Sequence, residues 1–419
     1  MLKLLAEQYD DIPAYRPLPT FILWMQYKLV GLAPESYFAV NIAVLVGVCA
    51  VLYAVVYRIT GLWLVAGGAA VALLVDPRVI SIATTIGERE TALACLMGLL
   101  ALLVALAPPL GARPRPIGVA TFVLLLFAAL SKEFGLAFSA AVLAAAVLNR
   151  SPRSRPVIFA TMGAVVTYAV LRWVVVGGTT GDYCEEMGYF DAVRRVCFGH
   201  SHGAGAVVLT GGAELVQHAY NIGAAFVGTF FAFLLTGKGS LNSGVSVPLA
   251  VWSVFVTGLA ITAWVRTPRS ALPFLALILA NSLLSLASYR ERNIVVAVVG
   301  LYAAAGLGAA QAAEWLRSRE VRLGWIGVAA AAGIALWIGY QSLTRVNDLQ
   351  DLSRQRRDAL ARIRHGARKK KGKTVDPCLH LREDYVEPTV VHYVKLRYRL
   401  PDPFCRRTVA TATGGKGPS

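Results

Sequence analysis

Apolar residues gather in long blocks over the first 341 residues, at 37–57, 62–82, 91–109, 117–131, 134–148, 157–176, 247–265, 272–288, 294–313 and 323–341. A helix crossing a bilayer needs roughly 20 mainly apolar residues, so this pattern predicts an all-α, polytopic membrane domain over 1–341 with about ten transmembrane helices. The 32 residues 117–148 are broken once, at Ser131-Lys132-Glu133. One continuous helix of that length would be roughly 48 Å long against a hydrocarbon core of about 30 Å. The break therefore predicts two short spans meeting at a Lys-Glu tip, where charges persist by facing water or each other.

Beyond residue 342 the pattern changes. Leu349, Leu352, Leu360 and Ile363 recur at near-helical spacing among arginines and predict a solvated helix. The basic run Arg368-Lys369-Lys370-Lys371-Gly372-Lys373 follows, then the strict alternation of Val394 to Leu400, which predicts a strand. Residues 342–419 thus form a small, soluble, basic C-terminal segment, and Thr411 to Ser419 is expected to be disordered.

Composition agrees with a bilayer as the solvent. Hydrophobic residues make up 56% of the chain and charged ones 16%, against roughly 45–50% and 25% in soluble proteins. The net charge of +17 suggests nucleic acid only until it is located, because residues 342–419 carry 18 Lys and Arg against 8 Asp and Glu. In the membrane part the bases sit in short loops, at Arg113 and Arg115, at Arg150, Arg153 and Arg155, at Arg266 and Arg269, and at Arg317, Arg319 and Arg322. Such loops face the cytoplasm by the positive-inside bias, and no nucleic-acid partner is implied. Segments 1–36, 83–90, 132–133, 177–217, 289–293 and 342–419 then lie outside, in a multi-pass protein of the cell membrane. The alternation holds if 218–236 is an interfacial or re-entrant helix rather than a crossing. It also starts the N-terminus outside, so either the first span inserts with its N-terminus out or a further span precedes Met1.

Of the six cysteines, Cys49 and Cys95 lie within spans, whereas Cys184, Cys197, Cys378 and Cys405 fall on outer segments. Local pairing, Cys184 with Cys197 and Cys378 with Cys405, is available to them in an oxidising compartment, with four free thiols as the alternative. Gly199-His200-Ser201-His202-Gly203 has two histidines and no third ligand in view, so it reads as plain loop.

Charges at the outer membrane boundary are the informative ones, since such charges are expensive and mark functional cavities. They form four groups: Asp10 and Asp11 before Arg16; Glu88, Arg89 and Glu90; Lys132 and Glu133; and Tyr289, Arg290, Glu291 and Arg292. Carboxylates beside cations suit sugar transfer from a lipid phosphate, which needs a base for the acceptor's proton and cations for the departing phosphate. The bland reading, loop charges that cap helices and snorkel, stands beside it.

The run Ala14-Tyr15-Arg16-Pro17-Leu18-Pro19-Thr20, then Gly31-Leu32-Ala33-Pro34-Glu35-Ser36-Tyr37-Phe38 with Asn41, resembles a stretch of the GT-C membrane glycosyltransferases, nearest the TPR-bearing O-mannosyltransferases and their bacterial relatives. Leu130-Ser131-Lys132-Glu133 is similar to that branch's step between two spans. Asp76-Pro77 to Glu90 resembles its outer loop, with Asp76 in place of a histidine, and Ser288 to Asn293 resembles a late Glu-Arg-Tyr element in altered order. The chain departs from the family in having sixteen or fewer residues where a first span and an acidic loop should stand, and in lacking TPR repeats.

The resemblance implies a GT-C-like domain that takes a polyprenyl-phosphate sugar at the outer face, with the lipid-linked donor and membrane lipids as partners. Asp10 or Asp11 would be the catalytic base, and Arg16, Arg89, Lys132, Arg290 and Arg292 the phosphate contacts. Glu88, Glu90, Glu133 and Tyr289 would support them, the carboxylates ordering the cations or a divalent metal ion. Arg16, Glu88, Arg89, Lys132, Glu133 and Arg292 are expected to converge on one outer-facing cavity beneath loop 177–217, with Asp10 or Asp11 at its rim. The rivals are a non-catalytic subunit of a membrane assembly and a lipid or solute transporter, for which internal repeats and mid-membrane charges would be expected.

Overall fold

The computed structural model describes residues 16–30, 34–84, 88–106, 114–149, 154–176, 211–230, 247–285 and 294–318. The chain divides into Met1–Ser342 and Leu343–Ser419, and every described residue belongs to the first unit. The expected strand at Val394 to Leu400 and the apolar block 323–341 lie outside the described residues.

Among the described residues the structure is all helical, with twelve α-helices and no strand. In chain order they are α1 (Pro17–Val30), α2 (Pro34–Thr60), α3 (Trp63–Leu74), α4 (Pro77–Thr84), α5 (Arg89–Ala105), α6 (Pro114–Ser131), α7 (Ala137–Asn149), α8 (Ser154–Val176), α9 (Gly211–Phe230), α10 (Val247–Arg266), α11 (Pro268–Leu284) and α12 (Val295–Ser318). Five of them, α1, α2, α4, α6 and α11, open on proline. A proline there loses no helical hydrogen bond, because the first N–H groups have no partner inside the helix.

The ends are set locally. Gly61, at φ 68°, takes the left-handed conformation that closes α2, and its N–H bonds the Tyr57 carbonyl at 2.7 Å. The expected span 62–82 is broken between α3 and α4, because Pro77 disfavours a helical Asp76 and the Asp76 carboxylate instead accepts the Arg78 N–H at 2.9 Å. The predicted break in 117–148 is present: α6 ends at Ser131, Lys132 is extended, and a 3-10 turn, Glu133–Leu136, leads into α7. Gly135 lies against the Ala128 carbonyl with no room for a side chain.

Helix α12 is the axis of the bundle, packed by α10, α11, α3 and α2. Its glycines allow close approach: a Cβ at Gly308 would overlap the Leu259 carbonyl of α10. Small residues at such crossings are how helices pack where lipid removes the hydrophobic drive.

Among the described residues three helices are long and apolar enough to cross a membrane: Ser36–Thr60, Ser154–Val175 and Val295–Ser318. This is fewer than the ten spans expected, since Trp63–Leu74, Pro116–Ser131, Glu133–Leu148, Ala250–Arg266 and Pro268–Leu284 are apolar but shorter. Helix α3, with 12 residues, reaches only roughly 18 Å. The outward faces carry apolar side chains, with Leu29, Phe159, Val174 and Val265 73–77% exposed.

Candidate functional site

Three local features bring charges to one end of the bundle. Pro17 starts α1 and leaves Arg16 at its mouth; Glu88 to Glu90 form the first turn of α5, where carboxylates complement the helix dipole; and the break after Ser131 presents Lys132 and Glu133. The Arg16 guanidinium donates through Nη1 to both Glu90 oxygens at 2.6 Å and through Nη2 to Glu133 Oε1 at 3.2 Å. Lys132, 2% exposed, donates from Nζ to Thr91 Oγ1 at 2.8 Å and lies 3.4 Å from Glu90 Oε1 and 3.8 Å from Glu88 Oε2. Thr91 in turn donates to Glu88 at 3.2 Å. Five of the sequence-predicted residues, separated by up to 117 positions, therefore make one network.

Arg89 turns the other way. It is buried and donates from Nε to Asn41 Oδ1 at 2.6 Å, from Nη1 to Gln26 Oε1 at 2.6 Å and from Nη2 to the Tyr37 carbonyl at 2.8 Å, with Tyr37's ring beside it. Its donors tie α1, α2 and α5 together beneath the network.

Burial alone would raise the Glu133 carboxyl, but the Arg16 guanidinium and the Lys132 ammonium beside it hold it down at about 2, against an ordinary 4.5. A carboxylate held so low is a weak base, so Glu133 suits holding cations rather than taking a proton. The depressed value contributes stability that is complete above about 4.5 and is lost as pH falls towards about 2. Unfolding midpoints in detergent should drop across that interval, and Glu133→Gln should flatten the drop; an unchanged slope in the variant would remove Glu133 from the network.

A second polar centre lies where α3 gives way to α4. The Asp76 carboxylate, 2% exposed, accepts Arg78 Nε at 2.9 Å, Arg78 Nη2 at 2.6 Å and the Tyr302 hydroxyl at 2.9 Å; Trp252 Nε1 donates to Tyr302 at 3.0 Å. Arg78 Nη1 also donates to the carbonyls of Gly228 and Thr229 at 2.9 Å, satisfying the last turn of α9.

Sequence reasoning passed over Arg172 and Tyr168 of α8. Arg172 is 5% exposed, donates from Nη1 to the Tyr168 hydroxyl at 2.9 Å, and with Tyr168 lies within electrostatic reach of Glu133. The signal was there: Arg172 is the one charge in the apolar run 157–176.

Asp10, Asp11, Tyr289, Arg290, Glu291, Arg292, Cys184, Cys197, Cys378 and Cys405 lie outside the described residues, as does loop 177–210. Cys49 and Cys95 are buried free thiols. Among the described residues no group of three or more His, Cys, Asp or Glu is placed to hold a metal ion; Glu90 and Glu133 face Arg16, and Glu88 faces Lys132. The network sets three carboxylates against two cations and pairs them with one another. Comparison with protein-family models, with curated proteins and with solved structures finds no match for this chain.

Proposed function

We propose that this chain is a polytopic helical membrane protein of the GT-C glycosyltransferase type, which binds a polyprenyl-phosphate sugar at its charged end, on the outer face of the cell membrane. The observation that carries the reading is the convergence of Arg16, Glu88, Glu90, Lys132 and Glu133 into one partly buried network at one end of the bundle. Charges in an apolar bundle cost several kcal/mol unless they are paired or used, and a guanidinium fork matches phosphate oxygens. Exposed apolar faces on α1, α8 and α10 suit lipid around such a site. The base for the acceptor's proton falls to Asp10 or Asp11, since the described carboxylates are engaged by cations. Arg16 and Lys132 supply positive charge beside the phosphate while paired with Glu88, Glu90 and Glu133, and Arg89 positions the helices that carry them.

The test uses the full chain in nanodiscs, titrated with undecaprenyl phosphate and with undecaprenol. Phosphate-dependent binding is expected, weakened about tenfold by Arg16→Gln through loss of a charge-assisted contact. Equal affinity for the alcohol and the phosphate would overturn the reading. Binding that survives in an Asp10→Asn, Asp11→Asn double variant while sugar transfer is lost would separate holding from catalysis.

A further inference from the structure

Arg172 differs from Arg16, Arg78, Arg89 and Lys132 in how it is compensated, although Arg16 Nε is likewise buried without an acceptor. Arg16 is held by Glu90 and Glu133, Lys132 by Glu88 and Glu90, Arg78 by Asp76, and Arg89 by three neutral oxygens. Arg172 has one partner, the Tyr168 hydroxyl, and its Nε is buried with no acceptor. No ion pair among the described residues includes it. A buried guanidinium left this way is costly, which argues for a ligand that completes it.

Tyr168 meets Nη1 and Nε is left without an acceptor, so the edge that carries Nε has a donor to offer. The two parallel N–H groups of a guanidinium's Nε–Nη2 edge are the fork that takes two oxygens of an oxyanion. Tyr168 is itself 3% exposed and sits one helical turn before Arg172, so it fixes the plane of the guanidinium. Helix α8 packs on α6 and α7 on either side of the Lys132-Glu133 break, and Tyr168 feels both Glu133 and Arg16. The three carboxylates of the network pair with Arg16 and Lys132; Glu133 also lies within electrostatic reach of Arg172, but no ion pair among the described residues joins the two.

We propose that Arg172, oriented by Tyr168, is the primary anion contact of this site, receiving two phosphate oxygens on its Nε–Nη2 edge while Arg16 and Lys132 serve as a compensated frame. The proposal rests on the reading above for the source of the phosphate, a polyprenyl lipid, but not for the anion chemistry.

The experiment titrates full-length protein in nanodiscs with undecaprenyl phosphate and, separately, with inorganic phosphate, and follows the unfolding midpoint without ligand. Arg172→Met is expected to lose undecaprenyl phosphate affinity about tenfold or more, and Arg172→Lys, which keeps charge but not the fork, should fall between. Tyr168→Phe should weaken binding about threefold, since it frees the guanidinium without removing it. Without ligand, Arg172→Met should melt at or above the wild-type temperature, because an uncompensated buried charge has been removed. A wild-type chain that binds undecaprenyl phosphate, with Arg172→Met binding equally well, would overturn this proposal and leave the proposed function standing. Binding of inorganic phosphate but not of undecaprenyl phosphate, lost in Arg172→Met, would overturn the lipid reading and keep Arg172 as an anion site. A marked fall in the ligand-free midpoint of Arg172→Met would show that a carboxylate of the chain itself completes Arg172, and would also overturn the proposal. Should Arg172→Met not fold, Arg172→Lys and Tyr168→Phe binding like wild type would do the same.

Discussion

Replacing Lys132 by Met is expected to destabilise the protein by about 3 kcal/mol, the scale set by breaking a buried ion pair. Methionine keeps the length of the stem, so the loss isolates the charge. Lys132 Nζ bonds Thr91 and faces Glu88 and Glu90 from a 2% exposed position, and without it two carboxylates in the first turn of α5 lose a cation they share. Adding Glu88→Gln should restore part of the loss, since a neutral amide needs no ammonium opposite it. The readout is a double-mutant cycle of unfolding midpoints in one detergent. Strict additivity of the two substitutions would mean that the 3.8 Å approach of Lys132 and Glu88 carries no coupling.

How far this site was legible follows from the kind of signal each residue gives. Lys132 and Glu133 announced themselves because they interrupt an apolar block, and the structure places the helix break there, between Ser131 and Glu133. Glu88 and Glu90 were legible as charges flanking a span. Arg89 was grouped with them by proximity in sequence, yet a step of one residue along a helix turns a side chain by about 100°, and its fork points at Asn41, Gln26 and Tyr37 instead. Hydropathy averages over a window, so it merged α3 and α4 into a single span; Asp76 stood out only through the family resemblance, and its partner Tyr302 lies 226 residues away. Arg172 was missed for the same reason: one charge barely lowers the mean of a long apolar run, although its physical cost is large. Pairing partners distant in sequence carry no periodic signature, and they decide which charges are compensated.

Asp76→Ala should cost about 3–5 kcal/mol, because it breaks a largely buried ion pair in which Asp76 meets Arg78 through both carboxylate oxygens. Three structural links fail together: both oxygens of Asp76 engage Arg78, the Tyr302 hydroxyl of α12 loses its acceptor, and the turn into α4 loses the bond from the Arg78 N–H. The effect should reach α9, whose last carbonyls at Gly228 and Thr229 are bonded by the same Arg78. Hydrogen exchange ought therefore to rise at the end of α9 as well as around residue 76, a distance of about 150 positions in the chain. Arg78→Met alone should leave Asp76 with Tyr302 and destabilise less. Combined with Asp76→Ala it should recover part of the loss, since both charges of the pair are then gone and Tyr302 and the α9 carbonyls lose only hydrogen bonds. If the double variant is less stable than Asp76→Ala by the full cost of Arg78→Met, the charge of Arg78 is solvated and the Asp76 centre is packing rather than an electrostatic latch between α4, α9 and α12.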